Sequence, residues 1–445
     1  MKEKDARFLI LAAIVAALGG LLFGFDTAVI SGTTPFLQPY FSLNDIALGW
    51  TVSSLLIGCI IGVIASGKPG DAFGRRKTLL VAALLFVISA IGSALSTNLF
   101  VFISFRMLGG IAVGTASMLS PMYISEISPA KNRGTLVSLN QLAIVIGILM
   151  AFFSNYLLAG TGENSWRWML AVMGAPAFLF FIALLFVPES PRWLMQKGKN
   201  NEAFSVLERI NGTAVATSEI KAIELSLATE IHGTYKELFS KDLRPILWIG
   251  VLLAVLSQIT GINSIMYYAP VIFKDLGNGN DSALIQTAII GGVNFLFTLV
   301  AIRWIDRWGR KPLMIGGAIG MTISLTVITI AYFLHKFEGY LILFFILTFI
   351  ASFAASLGPV TWVVVSEIFP NKMRSKAMSV AIVALWTTNF IVTLLFPVIL
   401  KRLGGGVAFL IFDLMCILLL LFVIFKLPET KGKSLEELEK ILLKK

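Results

Sequence analysis

Apolar stretches long enough to cross about 30 Å of hydrocarbon recur along this 445-residue chain, at 8–31, 45–67, 78–96, 99–122, 137–158, 167–187, 245–272, 284–305, 313–334, 340–366, 377–400 and 405–427. Each run has the length of a membrane helix, so the expected fold is an all-α membrane protein with twelve transmembrane helices. The composition agrees: 14% of the residues are charged, where soluble domains average roughly 25%, which excludes one large water-soluble fold. The first run is too long for a secretory signal and lacks a small-residue cleavage pattern, so it reads as the first membrane helix.

The formal net charge of +11 is not a nucleic-acid patch, because the basic residues alternate from loop to loop. Lys2, Lys4, Arg7, Lys68, Arg75, Arg76, Lys77, Lys131, Arg133, Arg303, Arg307, Arg310, Lys311, Lys372, Arg374 and Lys376 fall on one side, while the opposite loops 32–44 and 97–98 have no Lys or Arg, 273–283 has Lys274 and 335–339 has Lys336. Basic loops stay inside, so both termini are expected in the cytoplasm, with the chain multi-pass in the plasma (inner) membrane. The loop with Lys401 and Arg402 runs against this trend.

The basic loops also repeat. DAFGRRK at 71–77 answers DRWGRKP at 306–312, SEISPAKNRG at 125–134 answers SEIFPNKMRS at 366–375, and PESPR at 188–192 answers PETKG at 428–432. The nearly constant offset marks a second six-helix bundle repeating the first in parallel orientation. The expected organisation is a bundle over 1–192, a cytoplasmic helical linker over 193–243, a bundle over 244–430 and a cytoplasmic tail over 431–445. Within the linker, NEAFSVLERI and SEIKAIELSLATEI are amphipathic at helical spacing. Solvated packing against the membrane domain is preferred for them over a binding role. In the tail, Ser434 and Glu437 form a capping box.

Asp26 is the one charged residue from Phe8 to Asn44, and Arg106 the one between Lys77 and Glu126. A charge at bilayer depth costs at least about 2.5 kcal/mol on insertion scales, so a lone acid there is either functional or a satisfied structural group. With the first helix running outward and the fourth inward, Asp26 lies about 9 Å and Arg106 about 10 Å from the outer end. Pairing would offset the cost of burying both. Asp413, alone in the last helix, reads first as a hydrogen-bond partner of a neighbouring helix and second as a coupling group. Cys59 and Cys416 lie far apart inside spans and read as packing residues, with no metal site. Both histidines, His232 and His335, fall outside the spans, which leaves no catalytic set and argues against an enzyme.

The segments GGLLFGFDTAVISG, GDAFGRRK, PMYISEISPAKNRG, NQLAIVIG, WRWML, PESPRWL, QITGINSIMYYAP, DRWGRKP, GPVTWVVVSEIFP, NFIVTLLFP and LPETKGKSLEELE, in this order, resemble the sugar porters of the major facilitator superfamily. That family includes proton-coupled xylose, arabinose and galactose symporters and facilitative glucose transporters, and the resemblance covers essentially the whole chain. It implies sugar contacts at Phe23, Gln141, Gln258, Asn263, Tyr267, Asn294, Gly358, Trp362, Trp386 and Asn389. Carboxamides suit a pyranose, whose hydroxyls both donate and accept, and indole rings suit its flatter faces. Taken singly, each amide reads equally as glue between helices.

The resemblance further implies a proton-coupling pair, Asp26 and Arg106, since the symporters have an acid and an arginine there and the facilitators commonly an amide for the acid. A charge network at the basic loops is implied for Asp71, Arg75, Arg76, Glu126, Arg133, Asp306, Arg310, Glu367 and Arg374. Departures fall in the pocket and loops: Ser257 replaces a glutamine, Ile148 a polar residue and Thr361 a proline, and Lys68 and Pro69 are unusual in the first loop motif. The expected function is proton-coupled monosaccharide symport, pentose or hexose, by alternating access. The alternatives are a uniporter of the same fold and, from another class, a membrane sugar sensor. The proton is the expected coupling ion with no other cofactor; the expected partners are the sugar and the lipid bilayer, with no nucleic acid and a monomeric chain.

Overall fold

The computed structural model describes residues 3–129, 133–228, 235–241, 243–276, 279–335, 340–369 and 373–431. The capping box at Ser434 and Glu437, and His232, lie outside the described residues, as do the side chains of Arg133, Asp306 and Arg374. The first five spans are α1 (Glu3–Tyr40), α2 (Asp45–Phe73), α3 (Arg75–Leu95), α4 (Leu99–Ile127) and α5 (Arg133–Leu158). The sixth is α6 (Ser165–Ala171) with α7 (Gly174–Leu185), followed by the short helices α8 (Pro191–Gln196), α9 (Asn200–Asn211), α10 (Thr213–Ala228) and α11 (Tyr235–Leu238). The seventh span comprises α12 (Arg244–Ile259) and α13 (Ile262–Tyr267), continued by α14 (Ala269–Asp275). α15 (Asn280–Trp308) and α16 (Arg310–Phe333) are the eighth and ninth, α17 (Leu341–Ala354) with α18 (Leu357–Ile368) the tenth.

The last helix, α19 (Arg374–Phe425), runs for 52 residues. A straight helix of that length would be about 78 Å long, more than twice the hydrocarbon thickness. Instead it bends at Gly404, whose φ of 82° is outside the helical region, and supplies the eleventh and twelfth spans. Eleven described helical segments are long and apolar enough to cross a membrane, and this bend makes twelve spans of them.

Other interruptions follow from proline and glycine. α6 and α7 part at Val172 and Met173, and Pro176 lacks the N–H that would bond the Val172 carbonyl while its ring crowds it. Gly261, at φ 82°, separates α12 from α13, a conformation a side chain would strain and whose Cβ would collide with Phe412. In the tenth span the break falls at Ser356 (φ −140°, ψ −91°). Gly358 and Pro359 then occupy the first turn of α18, where a missing N–H costs nothing.

The contacts divide the chain into two compact units. In the first (Met1–Thr27, Gly58–Ala151 and Arg167–Ile231), α3 packs on α4 and α7. Trp193, Leu194, Met195 and Ala203 form a small core of the linker helices, with Val206, Ile220 and Ile223 against it. The Arg209 guanidinium lies 3.9 Å over the Phe8 ring, fastening α9 to the base of α1. The linker segments are therefore packed helices, as their amphipathic spacing requires.

The second unit (Ala28–Ile57, Phe152–Trp166 and His232–Lys445) is built on α12 and α16 packed against α19. Within it Trp50 meets Phe390 edge-on, with ring centroids 6.0 Å apart. Lys401, the off-trend loop lysine, pairs with Asp45 at 3.3 Å. Asp413 Oδ2 accepts a hydrogen bond from Thr326 at 2.9 Å, tying α19 to α16 as the structural reading expects. Both cysteines are buried and free.

Candidate functional site

Three groups of side chains carry chemistry: the first lies in the first unit, the second in the second, and the third has one copy in each. The first is the ion pair between Asp26 on α1 and Arg106 on α4, whose side chains are 0% and 1% exposed. Arg106 Nη1 donates to Asp26 Oδ1 and Nη2 to the Asp26 carbonyl at 3.0 Å, so the guanidinium grips both side chain and backbone. Glycine makes the approach possible: a Cβ on Gly24 would run into the Ile144 carbonyl, and one on Gly147 into that of Leu21. α1 and α5 thus touch backbone to backbone beside the acid, and Phe23 and Gln141, both half-buried, lie on the turns where they meet.

The second group lies in the second unit, around the break in the seventh span. Gln258 lies in the last turn of α12 and Asn263 in the first of α13; Asn263 Nδ2 donates to Gln258 Oε1 at 2.6 Å across the left-handed Gly261. Gln258 Nε2 donates to Ser257 Oγ at 3.2 Å, so the serine that replaces a second glutamine serves to orient the remaining one. Asn389 is 2% exposed, its Oδ1 accepts from Thr393 at 3.1 Å, and its Nδ2 has no hydrogen-bond partner among the described residues. Tyr267, Asn294 and Trp386 are buried, while Trp362 and Gly358 are half-buried. Packing of α12 on α18 and α19, α13 on α19 and α15 on α18 gathers the elements that carry them.

The third group is built twice, once per sequence repeat. Arg75 Nη2 pairs with Glu126 at 3.1 Å and its Nη1 with Asp71 at 3.0 Å; Arg310 Nη2 pairs with Glu367 at 3.0 Å. Arg76, expected among the ion pairs, uses its guanidinium otherwise. It donates to the carbonyls of Leu184 and Leu185 at 2.8 and 2.7 Å, capping the C-terminal end of α7.

Sequence reasoning missed the acids and hydroxyls of the PES and PET segments. Glu189 accepts from the Arg76 backbone N–H at 3.1 Å and Glu429 from that of Arg310 at 3.0 Å, so each caps the helix after its loop motif. Gly74 and Gly309, at φ 104° and 94°, make room, since a Cβ at either would crowd that carboxylate. Ser190 Oγ donates to Glu126, and Thr430 Oγ1 to Glu367 at 2.6 Å. The signal was the recurrence of PES and PET, which carried the repeat but was given no bonding role.

Among the described residues no cluster of His, Cys, Asp or Glu could hold a metal ion. Residues 12–442 match the family described as sugar (and other) transporter. The chain belongs to this family. Among its relatives, this sugar transporter family member is 45% identical over 449 residues to the arabinose-proton symporter of Bacillus subtilis (strain 168), covering 100% of this chain and 97% of that protein. It is 43% identical to the D-xylose-proton symporter of Escherichia coli (strain K12), covering 98% and 96%. Its fold superposes on a partially occluded inward open conformation of the xylose transporter XylE from E. coli with a TM-score of 0.87, at 40% identity and over 96% of this chain and 100% of that one. The protein is therefore a multi-pass membrane protein of the sugar porter fold.

Proposed function

We propose that this protein is a proton-coupled monosaccharide symporter, carrying a pentose or hexose by alternating access across the plasma (inner) membrane, with both termini cytoplasmic. The observation that carries this reading is the buried Asp26–Arg106 pair, in helices otherwise free of charge over their membrane lengths. An acid held at that depth by one cation is a proton-sensitive tie between α1 and α4. The relatives named as arabinose-proton and D-xylose-proton symporters support both the proton and the sugar.

A proton arriving on Asp26 cancels the charge that Arg106 holds, releases the tie, and permits the sugar-loaded halves, 1–192 and 244–430, to reorient. Loss of the proton inside restores the pair. The sugar is held by the amides of Gln141, Gln258, Asn263, Asn294 and Asn389, with Phe23, Tyr267, Trp362 and Trp386 against its faces and Gly358 leaving it room. Gln258 and Asn263 satisfy one another, so each holds the other oriented, and sugar hydroxyls would replace a bond already made. The clamps Arg75–Glu126 and Arg310–Glu367 form in the outward-facing state and loosen in the inward-facing one. One proton crossing 100 mV supplies about 2.3 kcal/mol, enough for a roughly fifty-fold sugar gradient.

Uptake by proteoliposomes against a panel of pentoses and hexoses tests the reading. A proton gradient is expected to concentrate at least one sugar, and Asp26→Asn to abolish concentration while sugar binding survives. Should Asp26→Asn still concentrate sugar, the carrier lies elsewhere and Asp413 is next; should the unaltered protein only equilibrate sugar at every pH, it is a uniporter.

A further inference from the structure

The two oxygens of Asp26 have different surroundings. Oδ1 takes Arg106, whereas Oδ2 is buried and has no hydrogen-bond partner among the described residues. The space beside Oδ2 is left by Gly109, three residues along α4 from Arg106 and so on the same helical face. A Cβ there would lie 2.7 Å from Asp26 Oδ2 and would collide with Ser89 Oγ of α3. The acid's second oxygen and the serine oxygen thus both lie against the one place where a side chain at position 109 would begin. Ser89 already donates its proton to the Phe105 carbonyl at 2.8 Å, so to any other neighbour it offers lone pairs alone.

A carboxylate oxygen gains nothing from facing a hydroxyl whose hydrogen is committed elsewhere; a carboxylic acid gains a hydrogen bond. We infer that Ser89 is the positioning residue for the proton: when Asp26 is protonated, the hydrogen resides on Oδ2 and is donated to Ser89 Oγ, an approach that the missing side chain of Gly109 leaves unobstructed. Arg106 then favours the charged acid from one side and Ser89 the neutral acid from the other. No bond other than the O–H forms, and the proton comes from and returns to water. The titratable side chains that face Asp26 among the described residues are Arg106 from α4 and Cys59 from α2; α3 brings Ser89, and the α5 carbonyl of Ile144 lies against Gly24, two residues before the acid. The inference rests on Asp26 being the proton carrier.

The test is the pH profile of gradient-driven sugar uptake by proteoliposomes carrying Ser89→Ala or Ser89→Cys. Cysteine nearly keeps the volume but is a poor acceptor, so it separates the lost bond from lost packing, and melting in detergent identifies the folded variants. Losing an acceptor for the protonated acid means more protons are needed. The proton concentration for half-maximal uptake is expected to rise about five- to tenfold in both variants, the size of one hydrogen bond. An unmoved profile, or one displaced toward higher pH as a serine donating to the carboxylate would give, overturns the role of Ser89. Asp26→Asn, run alongside, keeps the failures apart: loss of concentration there with an unmoved Ser89→Ala profile overturns this inference alone, and retained concentration overturns the reading of Asp26.

Discussion

At the level of single residues, the amides around the break in the seventh span differ in what they would lose. Gln258 is bonded on both sides, to Asn263 and Ser257, so Gln258→Ala unpairs Asn263 as well as the sugar. A hydrogen bond left unmade in a desolvated site costs about 1–3 kcal/mol, which is roughly ten-fold or more in affinity. Titration of sugar binding should show that loss, and unchanged affinity in both Gln258→Ala and Asn294→Ala would move the pocket. Asp26 and Arg106 were legible in the sequence because each is the one charge in a long apolar stretch and both fall at one depth. Ser89 and Gly109 were not, since a serine and a glycine in a membrane helix look like any other small packing residues. Only the third dimension aligns them with an unbonded oxygen. The Lys401 partner was hidden for a like reason, because nothing local to residue 401 points to residue 45.

Among the elements, the caps of α3 and α16 show how a loop motif becomes a helix start. Burial pushes the Glu429 carboxyl up, but backbone N–H groups of Lys431, Arg310, Lys311 and Thr430 more than offset it, leaving the acid below its ordinary value. A lowered acid stabilises the fold above its unfolded-state value, near 4.3, and that contribution disappears as pH falls through the folded-state value. Glu429 is half-buried and partly screened by water, so the effect is small: Glu429→Gln should lower the melting temperature by about 1–2 °C at pH 7. The difference should close as the melts are repeated below about pH 4. Span number and order were readable from run length alone, including the division of α19, whose two apolar runs meet at the residues around Gly404. The interior breaks were less so. Hydropathy stays high through Val172 and Ser356, and it is Pro176 and Pro359, four and three residues further on, that mark where the ladder of hydrogen bonds fails.

For the whole molecule, the charge asymmetry of the loops fixes which thiols an impermeant reagent can reach. Glu163→Cys, on an exposed turn between α5 and α6, should label in intact cells, and Lys199→Cys, at the start of α9, only after permeabilisation; the reverse pattern would invert the proposed topology. The repeat was visible as three matched loops, but its bonding was not: the same arginine, glutamate and hydroxyl are assembled twice from segments more than fifty residues apart. The two copies also differ in wetness. Arg75 and Glu126 are 5% and 10% exposed, whereas Arg310 and Glu367 are 13% and 29% exposed. Raising salt from 0.1 to 1 M shortens the screening length from about 10 to about 3 Å, and mobile ions enter the wetter pair first. The destabilisation caused by Glu367→Gln should therefore shrink in concentrated salt while that of Glu126→Gln persists. Ionic strength becomes a handle that addresses one half of a duplicated machine and leaves the other nearly untouched.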